Sequence, residues 1–266
     1  MYEHMFVSDT VPYEPSHFGG PAMTPTRLDN PTQHRVASQP ASWLGGAPAG
    51  VSTGYMDDAR LDWPALVGRA GQISEDVVEI SALSGHELPS LVNWMRHIDR
   101  PPFAYVAVHG PTKDVLVEPA GLASQLSGLP AWVTSIVLHP DTLGEPLAFR
   151  SLGSRLVLEN MDFRKLSGRS AIEMVALFNL LPEAGFCLDV AHARSIDPAM
   201  RTAHELLDQF RNRLRQIHIS GLDKDGHHIP ITEGDLDTYA PVLQRCADIP
   251  VVFEAPPPEW LSLSRH

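Results

Sequence analysis

The sequence predicts an α/β protein, a single (β/α)8 barrel preceded by an irregular proline-rich extension. Three observations lead there. Apolar, strand-like runs alternate with helical patterns from residue 50 to about residue 256. The runs number eight, and their starts recur about every 25 to 30 residues, close to the length of one strand-helix unit. Most of them carry His, Asp or Glu at or next to their C-terminal end. Strands alternating with helices pair in parallel through right-handed crossovers, and eight such units close into a barrel. An open doubly wound sheet is the competing arrangement. No glycine-rich phosphate turn follows the first strand, however, and the polar residues stand at strand ends all around the series.

Residues 1–49 are expected to be irregular or disordered. Pro12, Pro15, Pro21, Pro25, Pro31, Pro40 and Pro48 interrupt any period, and no apolar face forms. The first strand is read at Gly50–Tyr55, followed by a helix with Trp63, Leu66, Val67 and Ala70 on one face, and then by Val77–Ile80. The helix Glu87–His97 buries Leu88, Leu91, Val92 and Met95 and leads to the strand Ala104–His109. A helix within 117–129 leads to Val133–His139, and a short segment near Pro146–Leu152 leads to Arg155–Asn160. The helix Ser170–Leu181 precedes Gly185–Val190, Met200–Phe210 precedes Leu214–Ile219, and Thr238–Cys246 precedes Ile249–Glu254. Residues 258–266 read as a C-terminal tail. The barrel is thus expected to occupy 50–257.

Composition narrows the function classes. Apolar residues make up 43% and charged residues 20%, as in an ordinary globular protein. No run of 18 apolar residues exists, so no membrane span is expected, and Met1–Met5 lacks the basic start and apolar segment of a secretory signal. The expected compartment is the cytoplasm. Cys187 and Cys246 lie in separate apolar patterns and read as buried free thiols. A net charge of −12 without a dense Lys/Arg block argues against duplex nucleic acid as a partner and leaves a small-molecule substrate.

The chemistry lies at the strand tips. Glu79, His109, His139, Glu159, Asp189, His192, His218 and Glu254 all stand at or just beyond the C-terminal ends of their strands, the face on which such barrels build sites. His227 and His228 follow in the loop after the seventh strand. Each has a structural alternative: a hydrogen-bonded core histidine, a helix cap at Glu159-Asn160 or Asp189, an arginine partner for Glu79, a plain loop role for His227 and His228. Together, so many ionisable groups buried at one end would cost several kcal/mol per charge without compensation. A metal centre supplies it, and mixed imidazole and carboxylate ligands suit Zn, Mn, Fe or Co.

Leu158-Glu159-Asn160, Cys187-Leu188-Asp189-Val190-Ala191-His192, Gln216-Ile217-His218-Ile219, His228 through Asp237, and Phe253-Glu254 resemble the xylose isomerase-like TIM-barrel superfamily. That superfamily includes sugar and sugar-phosphate isomerases and epimerases and the apurinic-site endonucleases of the endonuclease IV type. The resemblance implies a four-ligand site at Glu159, Asp189, His218 and Glu254, with Glu159 and Glu254 moving protons in an epimerase-like reaction. It also implies a second ion at His109, His139 and Glu159 and a third involving His192 and His228, hence one to three divalent ions per chain. The endonuclease pattern has Asp-x-His in the loop after the seventh strand. Here His228 matches the histidine, Gly226 stands where the aspartate belongs, and Asp225 is one position away.

Four functions follow: a metal-dependent isomerase or epimerase of a small sugar or sugar-phosphate, a polynuclear zinc phosphoesterase, a multinuclear iron oxygenase, and a catalytically silent binding barrel.

Overall fold

The computed structural model describes residues 46–261 and 263. The expectation of an irregular N-terminal extension therefore falls almost wholly outside the described residues. Eight parallel strands close a barrel: β1 (Ala49–Ser52), β2 (Val77–Ser81), β3 (Tyr105–His109), β4 (Ser135–Leu138), β5 (Leu156–Glu159), β6 (Gly185–Asp189), β7 (Leu214–Ile219) and β10 (Val251–Phe253). Sequence neighbours pair in order, and β1 closes the ring against β10. The two remaining strands, β8 (Gly221–Leu222) and β9 (His228–Ile229), form a small antiparallel hairpin in the loop after β7.

Alternation along each strand divides the side chains between two environments. Outward positions such as Val78, Ile80, Val106, Val108, Leu156, Leu158, Ile217 and Ile219 join one continuous apolar cluster with the surrounding helices. Within it, Phe186 of β6 meets Phe178 of α4 (Ala171–Leu180) and Phe210 of α6 (Arg201–Phe210), with ring centroids 4.8 to 6.3 Å apart. Inward positions are different. Val137, Val157 and Cys187 form a small separate apolar cluster, while the same interior holds buried Ser52, Glu79, Ser81, Ser135, Glu159, Asp189, Gln216 and His218. Apolar strand sequences therefore carry a polar interior on alternate residues.

Helices α1 (Trp63–Ile73), α2 (Leu88–Arg96) and α3 (Pro119–Ser127) link the early strands, each with Pro in its first turn, where no intrahelical N–H bond is lost. β4 and β5 are joined instead by a 3-10 segment, Pro146–Arg155, kinked at Gly153, whose φ of 56° suits glycine. β1 stops at Ser52, short of the expected Tyr55, because the Ser52 hydroxyl accepts the Gly54 N–H and turns the chain into a 3-10 turn. α7 (Glu233–Leu243) starts before the expected Thr238. Thr232 and Asp235 form a reciprocal capping box there, and a 3-10 turn follows at Gln244–Cys246. α5 (Val190–Ile196) has no counterpart in the sequence reading. Both cysteines are buried and free. No helix among the described residues is long and apolar enough to cross a membrane.

Candidate metal centre

Of the strand-tip residues singled out in the sequence, His109, His139, Glu159, Asp189, His192, His218 and Glu254 come together at one end of the barrel, whereas Glu79 lies two positions below the end of β2. The centre is the carboxylate of Glu159, the last residue of β5 and fully buried. Three imidazole nitrogens approach its Oε2: His109 Nε2 at 3.1 Å, His139 Nε2 at 3.4 Å and His218 Nδ1 at 3.5 Å. His218 Nδ1 also lies 3.2 Å from Glu254 Oε1, and His228 Nδ1 lies 3.5 Å from Glu254 Oε2.

The histidine rings form an arc, with centroids 5.0 Å apart for His109–His139, 6.4 Å for His139–His192 and 5.2 Å for His192–His228. Among the groups of potential ligand atoms that lie within 4.8 Å of one another, three together cover the arc and overlap through shared carboxylates. They are His109/His139/Glu159, then Glu159/Asp189/His218/Glu254, then Asp189/His192/His228.

Local structure places each donor. Asp189 ends β6 and caps α5, its Oδ1 accepting the His192 N–H at 2.6 Å, so the helix-cap and site readings of this residue coincide. That turn brings His192 back over the barrel mouth. His192 Nδ1 donates to the Asn160 carbonyl at 2.9 Å, and although it lies 3.1 Å from Glu159 Oε1 it leaves that oxygen without a hydrogen-bond partner. His109 Nδ1 donates in the same way to the Gly110 carbonyl at 2.8 Å. The other His109 nitrogen, Nε2, faces Glu159 Oε2 at 3.1 Å, where a proton joins the pair in the metal-free protein and a cation held by both would replace it.

Unpaired buried atoms give the same indication. Glu159 Oε1, Asp189 Oδ2, His218 Nδ1, Glu254 Oε2 and His139 Nδ1 are buried without hydrogen-bond partners. Orphaned buried acceptors on four converging side chains are what a divalent ion satisfies. The donor set fits such an ion.

The electrostatics follow from burial and crowding. Burial disfavours charge on His109, yet the Glu159 hydrogen bond and the charges of Glu79 and Glu159 outweigh it and push its pKa up to about 9. His192 is likewise opposed by burial and pushed up to about 10 by Asp189 and Glu159. Burial holds His139 and His228 below the usual histidine range. Against their own burial, the Glu159 and Glu254 carboxyls are held well down by His218 and its neighbours. Asp189 is driven well up by burial and by the charges of Glu254 and Glu159, which outweigh His192. Divergent carboxylates a few ångströms apart mark a crowded ion site.

Several residues take roles that the sequence reading left open or did not name. Glu79 meets no arginine. Its Oε2 accepts from Gln216 Nε2 at 2.7 Å and faces His218 Nε2 at 3.0 Å. Asp225 does not supply the displaced aspartate: it is exposed and paired with Lys224 at 3.1 Å. Gly226 adopts φ of 81°, and a Cβ there would stand 2.7 Å from Arg164 Nε, so an aspartate at 226 is blocked both by backbone and by the guanidinium. Arg164 in turn binds Asp162, a buried carboxylate 3.8 Å from His192 Nε2. His227 pairs with Asp223 on the exposed side of the loop.

Asn160, read in the sequence as part of a helix cap with Glu159, serves instead as a clamp between strands. Its side chain donates to the Asp189 carbonyl and accepts the Asp189 N–H, both at 2.9 Å, locking β5 to β6 at the ligand layer. Asn160→Ala leaves two buried backbone groups unpaired and is expected to cost about 2–5 kcal/mol. Thermal unfolding in excess chelator, where ion loss contributes nothing, checks this as a fall of roughly 5–15 °C.

An open cavity of about 890 Å3 covers the centre, lined by Tyr55, Lys113, His139, Asp162, His192 and Glu254 among others. Its size suits a small molecule.

No family model matches the chain, and no curated protein matches it. Among solved structures it is similar to D-psicose 3-epimerase crystallised in the presence of D-fructose, with 11% identity and a TM-score of 0.49 over 79% of this chain and 84% of that one. It is also similar to L-ribulose 3-epimerase, with 14% identity and a TM-score of 0.47 over 78% of this chain and 81% of that one.

Proposed function

We propose that this chain is a metal-dependent enzyme acting on a small sugar or sugar-phosphate, with isomerase or epimerase chemistry. The observation that carries the reading is the group Glu159, Asp189, His218 and Glu254, whose ligand atoms lie within 4.8 Å and include a buried orphan on each residue. A divalent ion there supplies Lewis-acid polarisation of a carbonyl and an adjacent hydroxyl. Asp189 and His218 hold the geometry. Glu159 and Glu254, kept ionised by the surrounding imidazoles, are able to accept and return a proton at the neighbouring carbon. The cavity admits a small polyol.

A second reading, phosphoester hydrolysis at a polynuclear centre, is favoured by one further observation. His109/His139 and Asp189/His192/His228 form ligand groups that share Glu159 and Asp189 with the first. These side chains exceed the four-residue group, and ions held by them would supply an activated water for attack on a phosphoester.

The ion count separates the readings. Metal per chain is measured by mass spectrometry on protein purified without added metal, alongside the His109→Ala, His139→Ala double variant. About one equivalent, unchanged in the variant, supports the isomerase reading and assigns those histidines to substrate or structure. Two or three equivalents, dropping by about one in the variant, support the polynuclear reading, with hydrolysis if the metal is zinc and oxygen chemistry if it is iron. No bound metal in the wild type would sink both.

A further inference from the structure

We propose that Glu79, Gln216 and Tyr105 form a positioning relay inside the barrel that fixes the His218 ring, with Nε2 held by the relay and Nδ1 presented to the ion site. The inference rests on the metal reading above and concerns residues that reading does not use.

Glu79 is fully buried on β2, two strand positions below the tip. No lysine or arginine contacts it. A buried carboxylate left so costs several kcal/mol unless it serves a partner. Its partners are on the far side of the barrel. The flanking residues in register on β1 and β3, Ser52 and Ala107, are small, as is Ser135 beside Ala107, so the glutamate has room to extend across the interior to β7.

There Glu79 Oε2 receives Gln216 Nε2 at 2.7 Å and faces His218 Nε2 at 3.0 Å. The far end of the Gln216 amide, Oε1, accepts the Tyr105 hydroxyl at 2.8 Å. That hydroxyl also contacts Ser135 Oγ at 2.6 Å. The Tyr105 hydroxyl thus ties the Oε1 end of the Gln216 amide to β3 and β4, while the NH2 end meets the Glu79 carboxylate, which can only accept.

His218 Nε2 is held from two sides, by Glu79 Oε2 at 3.0 Å and by the Gln216 amide nitrogen at 2.7 Å. With Nε2 engaged there, Nδ1, which has no hydrogen-bond partner, is the atom directed at Glu159 and Glu254. A carboxylate behind a ligating imidazole fixes ring orientation and raises its basicity. Glu79 Oε1 has no partner at all, so the carboxylate is only half satisfied and makes a poor device for stability alone.

The test uses Co2+ as probe on the full chain, with affinity from competition against a chromophoric chelator, the cobalt ligand-field absorption as a readout of nitrogen ligation, and melting of the metal-free protein as a control. Glu79→Ala is expected to weaken Co2+ binding about 10- to 100-fold and to shift the absorption band. Glu79→Gln keeps an oxygen beside the ring Nε2 and is expected to recover most of the loss. Tyr105→Phe removes one hydroxyl with little risk to folding and is expected to weaken binding about 2- to 5-fold. Unchanged affinity and spectrum in Glu79→Ala overturn this inference alone. So does a loss that tracks metal-free melting, is not recovered by Glu79→Gln and is absent in Tyr105→Phe. A wild-type chain that takes up no cobalt overturns the metal reading itself, and the relay with it.

Discussion

Glu159→Ala is expected to release at least two ions where the wild type binds three, or the single ion where it binds one, and to abolish turnover. No other side chain faces so many donors. Its Oε2 stands within 3.5 Å of nitrogens from His109, His139 and His218, and its Oε1 lies 3.1 Å from His192 Nδ1. Removing the carboxylate leaves His109 and His139 without the anion they share. Glu159→Gln keeps the volume and separates the two contributions: the fold survives, charge and proton transfer are lost, and kcat is expected to fall by about 10^2 to 10^4. Metal analysis and turnover on an identified sugar or phosphoester substrate check both variants. Wild-type metal content together with wild-type turnover in Glu159→Gln would remove this residue from the centre. Glu254→Gln provides the companion measurement, because Glu254 contacts His218 and His228 but not the His109/His139 pair. It is expected to lower turnover while leaving the ion at that pair in place.

The second large effect is on stability, and its size grows with pH. Each ion bound at about 100 times its dissociation constant adds about 2.7 kcal/mol, so chelation is expected to lower the melting temperature by roughly 5–10 °C per ion. His109 and His192 have folded-state pKa values of about 9 and about 10 in the metal-free protein, above the unfolded value near 6.5. Their contribution is therefore fully present below about pH 6.5 and is lost as pH rises through about 9 to 10. The ion competes with those same protons, so its affinity climbs over this range. Between pH 6.5 and 9 the metal-free melting temperature is expected to fall while the gap between holo and metal-free protein widens. Calorimetry at several pH values, with and without chelator, checks this. A gap that narrows with rising pH would show that the ions do not displace protons from these histidines.

Much of the site was legible in the sequence because a parallel barrel turns a one-dimensional rule into a three-dimensional one. A charged residue that ends a buried apolar run has to surface at the strand's C-terminal tip, and a closed ring brings all such tips together. His109, Glu159, Asp189, His218 and Glu254 could be placed from that rule. His139 and His192, one and three residues beyond their strands, followed from the same spacing. Glu79 was visible as a strand carboxylate, but its partner was not. It reaches His218 across 139 positions of sequence, and only barrel closure brings the two together.

The eight strands, the helix order, the buried cysteines and the set of ionisable residues at the tips were determined by local periodicity and by residue type, which act over a few positions. Tertiary structure decided what those residues do to one another. It set which oxygen of Glu159 faces which imidazole, and it gave Asn160 its role as the clamp between β5 and β6. It placed Arg164 where it shuts out a side chain at Gly226, and it aligned Tyr105, Gln216 and Glu79 behind His218. These are contacts between strands far apart in the chain. Hydrogen bonding, burial and charge act through space, so their outcome depends on which side chains the closed barrel brings within a few ångströms.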